Sequence, residues 1–113
     1  MIHTERSIEE IKQNIIRILP EWETCRVIRY GYDEDFENGN ASLILTVRTA
    51  NEVAKLLFSG VCLNGDPITP LRDTVGLYII STSFLGWDNA QKIEVGDWDG
   101  GVPIFWAKTV EKQ

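Results

Sequence analysis

The stretch Asp33-Glu34-Asp35-Phe36-Glu37-Asn38-Gly39-Asn40-Ala41-Ser42-Leu43-Ile44-Leu45-Thr46-Val47-Arg48 decides the fold class. In its second half Leu43, Leu45 and Val47 alternate with Ser42, Thr46 and Arg48, the period-two pattern of a half-buried strand. Ahead of that strand stands Asn-Gly, a pair that tolerates the left-handed backbone of a hairpin turn. Residues 25–32, rich in β-formers, supply the other arm of the hairpin. The acids Asp33, Asp35 and Glu37 beside the turn read most simply as a solvated loop.

Working downstream, residues 53–63 carry apolar side chains on both parities, as in a strand covered on both faces or one bulged near Ser59-Gly60. Residues 50–57 read as part of that strand or as a short helix, and the strand is the favoured reading. Asn64-Gly65-Asp66-Pro67, followed by Pro70, reads as turn and loop. Three further strands are expected at 75–84, 90–95 and 102–110, separated by turns around Gly86 and Gly100. Upstream the period is helical. Ser7 with Glu10 makes a capping box, Ile8, Ile11, Ile15 and Ile18 recur on one side, and Pro20 closes the segment, which predicts a helix over 7–19. Parallel pairing needs long crossovers that the spacing does not provide. The expected fold is therefore α+β: one domain over 1–113, with an N-terminal helix packed on a mostly antiparallel sheet or sandwich of about six strands spanning 24–110.

Composition narrows the function. A chain of 113 residues with 43% hydrophobic and 25% charged residues has ordinary globular usage. No apolar run approaches the ~18 residues of a membrane helix, and the acids at Glu5, Glu9 and Glu10 do not suit a signal peptide. The expectation is a cytoplasmic protein that does not contact the membrane. Two cysteines, Cys25 and Cys62, in a chain with no export signal are expected to be free, buried thiols. With 11 basic against 17 acidic residues the formal charge is −6, which repels nucleic acid and favours a basic partner.

The residues that carry chemistry elsewhere are sparse. His3 is the only histidine and stands ahead of the helix, which disfavours a serine or cysteine triad. Two separated cysteines and that histidine do not make a zinc set. The run Asp33, Asp35, Glu37 resembles the start of a calcium loop, yet Asn38 stands where that loop needs glycine and Ile44 where it needs its bidentate acid. Gly60 and Gly100-Gly101 lack the lysine of a phosphate-binding loop. No cofactor or metal is expected. Glu94, Asp97 and Asp99 crowd the last turn; as a carboxylate enzyme site they rank last, since Asp and Gly are also what a tight turn demands. Of four tryptophans, Trp106 reads as core and Trp22 as packing the helix exit. Trp87 and Trp98 sit in turns beside Asp88, Asp97 and Asp99, where they either fold over the sheet edge or form an aromatic, acidic patch of the kind enriched in interfaces.

Over residues 53–110 the chain resembles small bacterial immunity proteins of polymorphic toxin systems. The resemblance rests on Leu57-Phe58-Ser59-Gly60-Val61 and on Glu94-Val95-Gly96-Asp97 leading into Pro103-Ile104-Phe105-Trp106-Ala107. It implies a non-enzymatic inhibitor that binds a toxin partner and brings no catalytic residues with it. The surface expected to make the contact combines Asp33, Asp35 and Glu37 with Trp87, Asp88, Asp97, Trp98 and Asp99. The alternative expectation is a small-molecule-binding domain.

Overall fold

The computed structural model describes residues 5–85 and 92–113. The first helix, α1 (Ile8–Asn14), opens on the capping box that the spacing predicts: Glu10 N donates to Ser7 Oγ at 3.1 Å and Ser7 N to Glu10 Oε1 at 3.0 Å. It ends at Asn14 and not at Leu19. Ile15 turns extended and bridges Ile80, and Ile16 N donates to Ile79 O at 2.8 Å, so the chain exchanges intrahelical bonds for bonds to a sheet edge. Two consecutive β-branched residues suit that exchange. Ile11 is fully buried but Ile8 is 59% exposed, so only part of the expected apolar stripe packs inward.

Eight strands follow, not six: β1 (Arg26–Asp35), β2 (Asn40–Arg48), β3 (Val53–Ser59), β4 (Cys62–Leu63), β5 (Leu77–Ser81), β6 (Ile93–Asp97), β7 (Val102–Ala107) and β8 (Thr109–Lys112). They form two antiparallel sheets of four, ordered β1-β2-β3-β8 and β4-β7-β6-β5. Residues 50–57 resolve in favour of the strand, β3. Between β4 and β5 lies a second short helix, α2 (Ile68–Asp73), where turn and loop are expected. Asp66 starts it, accepting from Ile68 N at 2.9 Å and from Thr69 Oγ1 at 2.9 Å, and proline at its beginning forfeits no hydrogen bond. The expected strand at 90–95 lies at Ile93–Asp97; residues 90 and 91 fall outside the described segments.

The larger strand count has one cause. The expected strands at 53–63 and 102–110 are both interrupted, at Gly60 and at Lys108, yet their pairing keeps one register from Leu56↔Lys112 through Ser59↔Thr109 to Cys62↔Trp106. A single two-stranded ribbon therefore bends from one sheet into the other, which is how orthogonal sheet corners are made. Gly60 takes φ +65°, and a Cβ there would stand 2.6 Å from the Lys108 side chain, so glycine is required at the bend.

The core lies between the sheets. Leu43, Leu45, Val47, Leu56 and Phe58 of the first sheet face Leu77, Ile79, Val95 and Phe105 of the second, all buried, with the Phe58 and Phe105 rings edge to face at 5.0 Å. The opposite face of the second sheet is buried as well, through Tyr78, Ile80, Glu94 and Trp106. Burial on both faces accounts for the unbroken apolar character of β5 and β7. Both thiols are free, but only Cys25 is buried, where desolvation pushes it up to about 11; Cys62 is exposed, against expectation, because β4 is an edge strand. Among the described residues no helix is long and apolar enough to cross a membrane.

Candidate functional site

The β1–β2 hairpin runs further than its acidic loop suggests, since Asp33, Glu34 and Asp35 belong to β1 and pair with Ser42, Ala41 and Asn40. The loop proper is residues 36–39. It is held by Asp35, whose carboxylate accepts from Glu37 N at 3.0 Å, Asn38 N at 3.2 Å and Asn38 Nδ2 at 2.7 Å, while its carbonyl accepts from Gly39 N at 2.8 Å. Gly39 takes φ +70° while Asn38 does not take a positive φ, so the hairpin closes through a four-residue loop ending on glycine and not through a two-residue Asn-Gly turn. These donors, led by the Asn38 side chain, hold the Asp35 carboxyl below the usual carboxylate range. Tyr32 donates to Glu34 at 3.2 Å on the same arm. The tip is thus fixed by its own polar groups, and at its end Phe36 stands 88% exposed, more than any other large apolar side chain described.

Where the ribbon bends at Gly60, the hairpin overhangs an open concavity of about 420 Å³. Its floor is one rung across the outer face of the first sheet, Asp33 beside Ser42, Ser59 and Thr109, with Asp35 and Lys108 at its margin.

Asp97, Trp98 and Asp99 lie elsewhere. Asp97 ends β6, and Trp98 and Asp99 stand in the turn to β7, separated from Lys108 by the whole length of that strand; Trp98 and Asp99 share their surroundings with Arg6, Ser7 and Ile8. Asp97 is committed to that turn, accepting from Thr74 Oγ1 at 2.8 Å and Asp99 N at 3.1 Å. The Trp98 ring packs edge to face on Trp22 at 4.8 Å, its backbone N–H bonds Gly76 O at 3.0 Å, and Lys12 Nζ lies 6.0 Å from its centroid. Trp98 is half-buried in this contact. Trp87 and Asp88 lie outside the described residues. The residues singled out in the sequence thus separate into a hairpin group, Asp33, Asp35 and Glu37, and a turn group at the opposite end of β7. Phe36, between the hairpin acids, is the surface residue that the sequence reading passes over.

Glu94 is neither a surface acid nor a turn residue. It is fully buried in β6, and its two oxygens accept four hydrogen bonds: Arg6 Nε at 2.8 Å and Tyr78 Oη at 2.8 Å on Oε2, Arg6 Nη2 at 2.8 Å and Trp106 Nε1 at 3.0 Å on Oε1. Burial and the neighbouring carboxylate push the Tyr78 phenol far up, and the hydrogen bond to Glu94 raises Arg6. With every lone pair occupied, this carboxylate has the geometry of an anchor for the N-terminal segment. Arg6 N also donates to Gly101 O at 2.7 Å. Among the described residues no cluster of three or more His, Cys, Asp or Glu side chains is placed to hold a metal ion. No protein-family model, curated protein or solved structure matches the chain.

Proposed function

We propose that the chain is a non-enzymatic interaction module that grips a basic protein partner through the β1–β2 hairpin, as an immunity-type inhibitor of a toxin would. The observation that carries this reading is Phe36, 88% exposed at the tip of a hairpin that Asp35 holds in place, among Asp33, Glu34 and Glu37. Leaving such a ring in water forgoes roughly 1.5–3 kcal/mol that burial against a partner recovers, and a pre-ordered tip loses little entropy on docking. The surrounding acids and the formal charge of −6 favour fast encounter with a basic surface.

Co-purification with the products of the flanking genes identifies the partner, and calorimetric titration then measures its affinity. Phe36→Ala is expected to weaken binding by about 2 kcal/mol, and Glu37→Lys to slow association in a salt-dependent way, both with unfolding unchanged. Unchanged affinity in both variants would remove the hairpin from the contact surface, and failure of any flanking product to bind would remove the inhibitor reading. Trp98→Ala is a poor probe of this surface, because losing the contact with Trp22 disturbs folding itself.

A second reading, small-molecule binding, is favoured by the concavity over Asp33, Ser42, Ser59 and Thr109. Its volume of about 420 Å³ falls within the range of about 300–1,000 Å³ typical of ligand pockets, and its rung presents hydroxyls beside a carboxylate, suited to a polyhydroxy or amine ligand. A thermal-shift screen of such compounds tests it: a ligand at a hundred times its dissociation constant stabilises by about 2.7 kcal/mol. A flat screen refutes the reading.

A further inference from the structure

β1 is an edge strand of ten residues, and among the described residues no backbone hydrogen bond joins its outer side to another segment. Its middle reads Arg29-Tyr30-Gly31-Tyr32-Asp33, in which tyrosines flank Gly31 on both sides and charges of opposite sign stand one residue further out. Arg29, Gly31 and Asp33 lie on the outer face of the sheet, paired with Thr46, Ile44 and Ser42, while Tyr30 and Tyr32 lie on the other.

We propose that β1 pairs antiparallel with β1 of a second copy of this chain, Gly31 opposite Gly31 on the two-fold axis, joining two four-stranded sheets into one of eight. In this register Tyr30 stands opposite Tyr32 and Arg29 opposite Asp33, each twice by symmetry, as an isologous interface requires. Arg29 and Asp33 are both exposed, and neither makes an ion pair or a side-chain hydrogen bond within the described chain, so both charges are available. Charges on an edge strand usually ward off pairing. Here they are of opposite sign at equal distance from Gly31, so this register attracts, whereas one that sets Asp33 against Asp33 or Arg29 against Arg29 repels. The φ of Gly31 is not positive and nothing lies within 4 Å of where its Cβ would be, so nothing within the chain demands glycine there. In-plane pairing with a second strand does not demand glycine either, because a Cβ at Gly31 would point out of the sheet, so the position tolerates a side chain. The bulge between Val27 and Arg29 ends the regular ladder at one end of this five-residue core, where α2 lies beside Arg29 and Tyr30 as well as Val27 and Ile28. Phe36 and Glu37 lie beyond the core, so changes there probe partner binding alone, while Asp33 is shared by the two surfaces.

Sedimentation equilibrium of the full chain at low salt tests the inference, with circular dichroism as the folding control. The wild-type chain is expected to dimerise reversibly, and Arg29→Asp or Asp33→Arg alone to raise the dissociation constant on the order of tenfold, because two opposed pairs turn repulsive. Mixing the two single variants, or combining both changes in one chain, sets opposite charges against each other again and is expected to restore association. In a Cys62→Ser background, Gly31→Cys is expected to crosslink on oxidation, since directly opposed strand residues lie within disulfide reach. A wild-type chain that stays monomeric throughout the concentration series overturns the proposal. So does a dimer indifferent to both charge changes, and so does the absence of a Gly31→Cys crosslink.

Discussion

Replacing Arg6 with methionine is expected to destabilise the fold by about 3–5 kcal/mol, because it leaves Glu94 charged, buried and short of two of its four donors. The two side chains are 5% and 0% exposed, so the discount that applies to surface ion pairs does not apply. Tyr78 and Trp106 cannot take over, since each has only one donor and already aims it at Glu94. Arg6→Lys is expected to recover only part of the loss, as a single ammonium does not reproduce the bidentate fork. Combining Arg6→Met with Glu94→Gln is expected to cost less than Arg6→Met alone, because the amide removes the uncompensated charge. Urea unfolding checks this through a lower midpoint with little change in slope. A loss below about 1 kcal/mol for Arg6→Met would mean that the ion pair does not anchor the N-terminal segment.

That anchor marks the limit of what could be read in the chain alone. The capping box at Ser7 and Glu10 and the hairpin around Asn38-Gly39 were legible because each is encoded within a few residues, by a cap or a period, whereas the strand expected over 53–63 offered a bulge near Ser59-Gly60 as only one of two readings. The Arg6–Glu94 pair spans a sequence separation of 88 and leaves no local trace. Its one available signal was an acid set between Ile93 and Val95 in an apolar strand, which needed a buried partner from somewhere. The end of α1 failed for a related reason: the isoleucine spacing continues past Asn14, but the free edge of β5 offers Ile15 and Ile16 better hydrogen bonds than another helical turn does. In contrast, α2 was locally signalled by Asp66 and Pro67, and turn chemistry masked it. At the site, hairpin acids and turn acids look alike in sequence. Only the fold separates them, by spending Asp97 on Thr74 and Trp98 on Trp22 while leaving Phe36 in solvent.

The same buried cluster makes Gly96 intolerant of any side chain, and Gly96→Ala is expected to cost about 3 kcal/mol or more. Gly96 pairs with Tyr78 across β5 and β6, and the phenol ring lies over it: an added Cβ would collide with Tyr78 Cζ and Oη. The ring has no free space to enter, since Tyr78 is fully buried, so the methyl group acts as overpacking of about 1–3 kcal/mol. Pushing the ring aside also draws its hydroxyl off Glu94, a hydrogen bond to a charged group of about 1.5–3 kcal/mol. A double-mutant cycle separates this steric account from a general dislike of alanine in the strand. In a Tyr78→Ala background the obstructing ring is gone, and Gly96→Ala is expected to become nearly neutral, because the two changes share one contact and cannot add. Additive losses in that cycle would show that Gly96 is not kept small for the tyrosine, and that the hydroxyl reaches Glu94 without needing the open space beside it.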